Sequence, residues 1–167
     1  NIVCGITPPN SGVAYCFGDG SGTACPCGNA SAVGAESGCL NSLGAGGKLV
    51  ATGNGSLTSD TIVLTGSGMP NSSALYFQGT TRTAGGVGAA FGDGLRCASG
   101  TVVRLGTTAN VAGNSSYPTA GAQSVSVKGL ITAPGSRTYQ VWYRNATVFC
   151  NPETFNVTNG WEIVWAP

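Results

Sequence analysis

The most chemically reactive side chains in this sequence are those of its cysteines. The sequence of 167 residues contains seven cysteines and no histidine. Cysteine thiolates can bind metals or act as nucleophiles, but such sites commonly also use histidine as a ligand or a base. Exported proteins instead use cysteines as covalent cross-links. The combination therefore favours structural disulfides over catalysis.

Six of the cysteines are candidates for intrachain disulfides: Cys16, Cys25, Cys27, Cys39, Cys97 and Cys150. The sequence does not fix their connectivity. Because Cys25 and Cys27 lie two positions apart, we expect them to reach different partners among Cys16 and Cys39. Cys97 and Cys150 flank predicted strands, so we expect a bridge between them. A zinc site is disfavoured because paired Cys-x₂-Cys knuckles are absent, and we predict no metal and no cofactor.

The seventh cysteine, Cys4, lies outside the dense block that begins at Cys16. An odd cysteine in an exported protein is either an inert thiol or a link to another molecule. The sequence leaves both interpretations open.

Signatures of enzymes are missing from the sequence. It contains no Gly-x-Ser-x-Gly elbow, no Gly-x-Gly-x-x-Gly turn and no phosphate-binding loop of the Walker type. The six acidic residues are scattered, so no pair of carboxylates is indicated. The run Asp19–Thr23 resembles a calcium loop only faintly, since it lacks alternating acids and a closing glutamate. We predict a protein that is not an enzyme.

Composition limits the partners and the location of the protein. Only 8% of the residues are charged, the net charge is +1 and 41% are hydrophobic. Nothing in this balance favours nucleic acid, and no apolar run is long enough to insert into a membrane. A surface with so little charge is protected from aggregation if it carries sugars or lies in an assembly. We expect an extracellular or cell-surface protein whose export signal has been removed.

Short alternating runs separated by Gly, Asn and Pro predict an all-β fold. We expect an antiparallel β-sandwich, of jelly-roll or immunoglobulin-like type, preceded by a disulfide-braced Cys/Gly-rich segment. Residues 1–14 would form an N-terminal arm, 15–40 the braced segment and 41–167 the sandwich, with 15–167 one folded unit. The predicted strands are Lys48–Thr52, Thr61–Thr65, Ala74–Gly79, Val87–Phe91, Thr101–Leu105, Gln123–Val127, Arg137–Tyr143, Thr154–Val157 and Trp161–Trp165.

One strand carries a candidate sugar-binding platform. On Arg137–Tyr143, the alternation places Trp142 on one face with Gln140 and Arg144. An aromatic ring beside an amide and a guanidinium is suited to stacking against a sugar. The alternative is that these late aromatics fill the core and its rim.

Six Asn-x-Ser/Thr triplets indicate N-glycosylation. The candidate acceptors are Asn29, Asn54, Asn71, Asn114, Asn145 and Asn156.

The run from Cys16 to Asn29 resembles part of a known module, as do the runs 139–145, 149–150 and 154–160. Together they look like the recurring C-terminal module of large secreted proteins from planctomycete-type bacteria. The similarity spans about Tyr15 to Trp165. It implies export and a surface role, but no chemistry, and residues 1–14 lie outside it.

The N-terminus has the pattern of a strand that leaves its own domain. Ile2, Val3, Cys4 and Ile6 are apolar or β-prone and precede Pro8-Pro9. Such a strand can complete an open sheet edge on a neighbouring subunit, and a head-to-tail contact of this kind generates a filament or a ring. We therefore expect a structural subunit that polymerises with copies of itself in a filament or surface layer. The alternatives are an edge strand within the same sheet, or a secreted carbohydrate-binding or adhesion module with glycans as partners.

Overall fold

The computed structural model describes residues 9–145 and 148–167. Their regular secondary structure consists almost entirely of antiparallel strands, as predicted. The strands are β1 (Val13–Tyr15), β2 (Lys48–Thr52), β3 (Val63–Ser67), β4 (Ser73–Gly79), β5 (Thr81–Arg82), β6 (Ala89–Phe91), β7 (Gly94–Arg96), β8 (Ala98–Ser99), β9 (Val103–Ala109), β10 (Ser115–Tyr117), β11 (Gly135–Arg144), β12 (Phe155–Val157) and β13 (Gly160–Trp165). A short 3₁₀ turn spans Thr83–Gly86, and the one-turn helix α1 spans Val125–Lys128.

Two sheets form the body of the molecule. The larger has the order β1-β13-β11-β4-β9, with β12 also paired to β11, and the smaller has the order β10-β3-β2. Two-stranded ribbons β5–β8 and β6–β7 lie beside them. Alternate residues of β11 define its two faces, because successive side chains in a strand point in opposite directions.

The inner face of the larger sheet packs on the smaller sheet. Tyr139, Val141 and Tyr143 of β11 share one hydrophobic cluster with Leu49 of β2 and Leu64 of β3. These side chains are almost completely buried. The shared core is the two-layer packing of a β-sandwich.

The outer face of the larger sheet is partly covered by the Cys-rich segment. A second cluster unites Tyr15, Cys16, Cys25 and Cys39 of that segment with Leu95 and Cys97. Three disulfides join Cys16 to Cys97, Cys25 to Cys39 and Cys27 to Cys150. Two of these bridges therefore tie the segment to the sandwich, and all six predicted cysteines are used.

The predicted bridge between Cys97 and Cys150 is wrong. Cys97 lies beneath the start of the Cys-rich segment, where it meets Cys16, whereas Cys150 reaches Cys27. The expected partner of Cys25 is found in Cys39, but Cys27 bonds to neither Cys16 nor Cys39. Positions at strand edges indicate which cysteines are available to bridge, but folding of the N-terminal segment over the sheet decides the partners.

The predicted strand at Gln123–Val127 is also wrong, because Val125–Lys128 forms helix α1. Val125 is buried in the core and Val127 is 56% exposed, so the two valines do not share a face. The carboxylate of Asp60 accepts a hydrogen bond of 2.7 Å from the backbone N–H of Ser126. This contact satisfies an N–H of the first helical turn, which has no partner within the helix.

The chain is fixed to the sandwich from Asn10 onward. The backbone of Asn10 donates to Asn54 at 3.2 Å and accepts from Gly55 at 2.8 Å, and its side chain donates to the carbonyl of Val164. β1 then pairs with Glu162, Trp161 and Gly160. Residues 10–14, which we expected in the arm, thus belong to the folded unit. Ile2, Val3, Cys4 and Ile6 lie outside the described residues.

Among the described residues, no helix is long and apolar enough to cross a membrane.

Candidate functional site

An open groove lies on the outer face of the larger sheet, beside the ribbon β6–β7. Its volume is about 430 Å³. Its walls are largely apolar, with two arginines, and we call it the aromatic groove; the lining residues are Leu75, Phe77, Phe91, Arg96, Val102, Arg104 and Trp142. Leu75 and Trp142 are direct neighbours across β4 and β11, which fixes the floor of the groove.

Aromatic rings and arginines follow one another along this groove. The ring of Phe155 lies 5.2 Å from that of Trp142 and 4.8 Å from that of Phe91. The guanidinium of Arg96 lies 5.4 Å from the centre of the Phe91 ring, and that of Arg144 lies 5.6 Å from Trp142. A ring face can stack on a sugar, and guanidinium groups favour anionic ligands.

The structure brings together two of the three residues predicted to bind sugar. Trp142 is half-buried in the groove and Arg144 is exposed beside it. Gln140 shares their face of β11 but is only 1% exposed. It therefore cannot reach a ligand, and its predicted role in binding is wrong.

Gln140 instead holds the chain between β7 and β8 on the sheet. Its carbonyl oxygen accepts the N–H of Cys97 at 2.8 Å, and its amide nitrogen donates to the carbonyl oxygens of Leu95 at 2.7 Å and Thr158 at 2.6 Å. Buried amides are stable only when they are bonded in this way. The period-two pattern places Gln140 and Trp142 on the same face of β11. It does not indicate that a loop covers Gln140 and leaves Trp142 accessible.

Sequence reasoning did not identify Phe91, Arg96 or Arg104 as members of the groove. They come from ribbon β6–β7 and from β9, which are far along the chain from Trp142. Only the packing of the ribbon against the sheet brings them together, and no local motif indicates that packing.

Three predicted glycosylation sites are inaccessible in the folded chain. Asn29 is 7% exposed, and Asn145 and Asn156 are fully buried. In each residue, the side-chain nitrogen that would carry the sugar already donates a hydrogen bond. Asn29 donates to the backbone carbonyl of Asp93 and Asn145 to the Asp93 carboxylate. Asn156 donates to the backbone carbonyl of Leu40. A glycan at any of these positions would remove buried hydrogen bonds and require space that is filled.

The other three predicted acceptors reach the surface. Asn71 and Asn114 are exposed, and Asn54 is half-buried. The side-chain oxygen of Asn71 accepts the N–H of Gly113 at 2.8 Å, which leaves its nitrogen available for modification. A glycan-bearing surface is therefore compatible with Asn54, Asn71 and Asn114 only.

The potential metal ligands among the described residues are dispersed. No group of three or more His, Cys, Asp or Glu residues is arranged there to hold a metal ion. Asp19, in the run that resembles a calcium loop, accepts hydrogen bonds from the hydroxyl and the backbone N–H of Ser21. These bonds lower the pKa of Asp19 and identify the run as a local turn.

The larger sheet presents a long edge at β9. Within residues 9–145 and 148–167, no strand pairs with the outer side of β9, and the opposite edge strand β1 has only three residues. A second cavity of about 350 Å³, which we call the edge cavity, lies between β9 and residues 117–128. Leu105, Thr107 and Tyr117 are among its lining residues.

Comparison with protein-family models, curated proteins and solved structures finds no match to this chain.

Proposed function

We propose that this chain is a structural subunit of an extracellular assembly, a filament or surface layer, that polymerises head to tail through its N-terminal segment. Three intrachain disulfides support an oxidising location outside the cytoplasm. The resemblance to a module of secreted bacterial proteins favours the same location.

The observation that carries the proposal is the character of the surface. Twelve large hydrophobic side chains are exposed among the described residues, including Val33 at 87%, Val111 at 75% and Leu130 at 73%. Only 8% of all residues are charged. Single exposed hydrophobics are common, but a monomer with so few charges has little electrostatic protection against association. Ordered contacts between copies would cover this surface.

The attachment of the N-terminus provides further support. Hydrogen bonds of Asn10 fix the chain beside Gly55 and Val164, and β1 continues along β13. Residues 1–8 therefore start from a rigid point on the subunit. A β-prone segment attached to a rigid point is suited to addition to the sheet of a neighbour, where backbone bonds supply affinity.

Removal of residues 1–8 tests this function. The deletion retains Pro9 and Asn10, because Asn10 is bonded to the sandwich. We expect a folded monomer with three disulfides that no longer polymerises, assessed by electron microscopy and peptide mapping. A matched control is Ser59→Ala, which alters an exposed polar residue outside the arm and should leave polymers intact. Polymers that persist without residues 1–8 would refute the role of the segment.

The aromatic groove favours a second candidate function, an adhesion module for acidic polysaccharides. Phe91, Phe155 and Trp142 offer ring surface, while Arg96 and Arg144 supply positive charge. Calorimetric titration with a uronic-acid polymer and a neutral glucan tests it. Binding of the acidic polymer that is lost in Trp142→Ala but retained in Val33→Asn would support this function, and no binding of either polymer would exclude it for these sugar classes.

A further inference from the structure

The outer edge of β9 has the backbone groups that strand addition requires. Strand β9 spans seven residues and pairs with β4 along one edge. Among the described residues, no strand pairs with its other edge. The N–H and C=O groups along such an edge are available to another strand. The register shifts between Tyr76 and Phe77 of β4, so that Leu105 is an extra residue on β9. A bulge of this kind restricts pairing to a strand that fits the altered register.

Cavities border this edge on both faces of the sheet. The aromatic groove reaches Val102 and Arg104, whereas the edge cavity reaches Leu105 and Thr108. Leu105 belongs to the core between the sheets, so the edge cavity opens on the inner side. A strand added to β9 would direct alternate side chains toward the two cavities, since successive residues face opposite ways.

The N-terminal segment has the composition that this position favours. Ile2, Cys4 and Ile6 share one face of an extended segment, and Val3 lies on the other. No charged side chain occurs before Asp19. The edge cavity is lined in part by Leu105 and Tyr117, so apolar side chains would bury surface there without leaving a charge unpaired.

The segment cannot occupy β9 of its own subunit. Asn10 lies beside Val164 of β13, and a strand added outside β9 would be four strand positions away, or roughly 19 Å at about 4.8 Å for each step. Ile6 lies four residues before Asn10, a separation that an extended chain spans over at most about 14 Å. Pairing of Ile2–Ile6 with β9 therefore requires a second copy.

We propose that Ile2–Ile6 of one copy adds as a strand to the outer edge of β9 in the next copy. This inference rests on the proposed function and identifies the receiving site. The donor is fixed beside β13 and the acceptor lies at the opposite edge of the same sheet, so each copy gives and receives once and the contact repeats head to tail. The other six cysteines are paired and β9 contains none, so the receiving strand offers Cys4 no disulfide partner.

Disulfide trapping with the native Cys4 tests the proposed site. Thr107→Cys places a thiol at an exposed position of β9, and Val13→Cys places one at an exposed position of β1, the opposite edge. Mild oxidation of polymers made from mixed ¹⁴N and ¹⁵N chains should link Cys4 to position 107 between differently labelled chains. We expect no such link to position 13. Polymers linked through position 13, or linked at neither position, would overturn the β9 site while the proposed function stands.

Hydrogen exchange on the unmodified sequence provides a second measurement. Amides of β9 should exchange at least about tenfold more slowly in the polymer than in the chain lacking residues 1–8, while amides of β1 should change little. Equal exchange of β9 in both samples would overturn the site. Failure of the full chain to polymerise at all would overturn both the site and the proposed function.

Discussion

The side-chain amide of Asn145 donates a hydrogen bond of 2.9 Å to the carboxylate of Asp93, and both side chains are fully buried. The side-chain oxygen of Asn145 in turn accepts the backbone N–H of Ser42 at 3.3 Å. Asn29 donates to the backbone carbonyl of Asp93 at 2.8 Å. This network joins the end of β11, the β6–β7 turn and the Cys-rich segment, which are distant in sequence.

Replacement of Asn145 by Asp should strongly destabilise the fold. It would set two carboxyl groups against each other in a buried site, where like charges are poorly solvated. We expect the free energy of unfolding to fall by about 3 kcal/mol or more, measured by urea denaturation with the disulfides intact. Asn114→Asp, at an exposed position, is the matched control and should change stability by less than about 0.5 kcal/mol. Equal stability of the two variants would contradict the account of the network.

Glycan attachment should follow the exposure of the six sequons. If the chain is produced in a host that performs N-glycosylation, we expect sugar only at Asn54, Asn71 and Asn114. Glycopeptide mass spectrometry of the folded protein measures the occupancy of each site. Sugar on Asn29, Asn145 or Asn156 would show that the buried asparagines are accessible, contrary to their hydrogen bonds.

The tyrosines should resist ionisation in the folded protein. Burial raises the pKa of all five: Tyr15, Tyr76, Tyr117, Tyr139 and Tyr143. Because the folded pKa exceeds the unfolded value of about 10, their contribution to stability is complete below that pH and is lost as the pH rises through and above it. Ultraviolet titration should show tyrosinate at higher pH in the native than in the urea-unfolded chain. Coincident titration curves would contradict this burial.

The disulfides that close the longest and the shortest loops should differ in their contribution to stability. Cys27–Cys150 closes a loop with a sequence separation of 123, and Cys25–Cys39 one with a separation of 14. The chain-entropy model assigns them about 5 and about 3 kcal/mol, respectively. Replacing both cysteines of a bridge by serine should therefore lower the free energy of unfolding more for Cys27–Cys150 than for Cys25–Cys39. Urea denaturation of the two variants measures this difference. Equal losses, or the reverse order, would contradict the assignment.

Much of the sandwich follows from the local pattern of the sequence. The predicted strand Lys48–Thr52 coincides with β2, and the predicted strand Arg137–Tyr143 lies within β11. Both have alternating or continuous apolar residues that reflect burial on a sheet. The strand predicted around Val125 fails because the contact of Ser126 with Asp60 depends on tertiary structure.

The candidate site was less predictable because it also depends on tertiary contacts. Trp142 and Arg144 could be selected from alternation along one strand, but Phe91 and Arg96 enter the groove only through packing of a distant ribbon. Gln140 has the same alternation as Trp142 and is buried because the loop carrying Cys97 covers it. Sequence period therefore indicates the face of a strand, but not which part of that face is covered.

Electron microscopy of the chain with residues 1–8 present, purified with its disulfides formed and examined over a range of concentrations, tests the proposed function most directly. Our account predicts regular polymers with one repeating contact between subunits, which grow as the concentration rises. A population that remains monomeric at every concentration would contradict it.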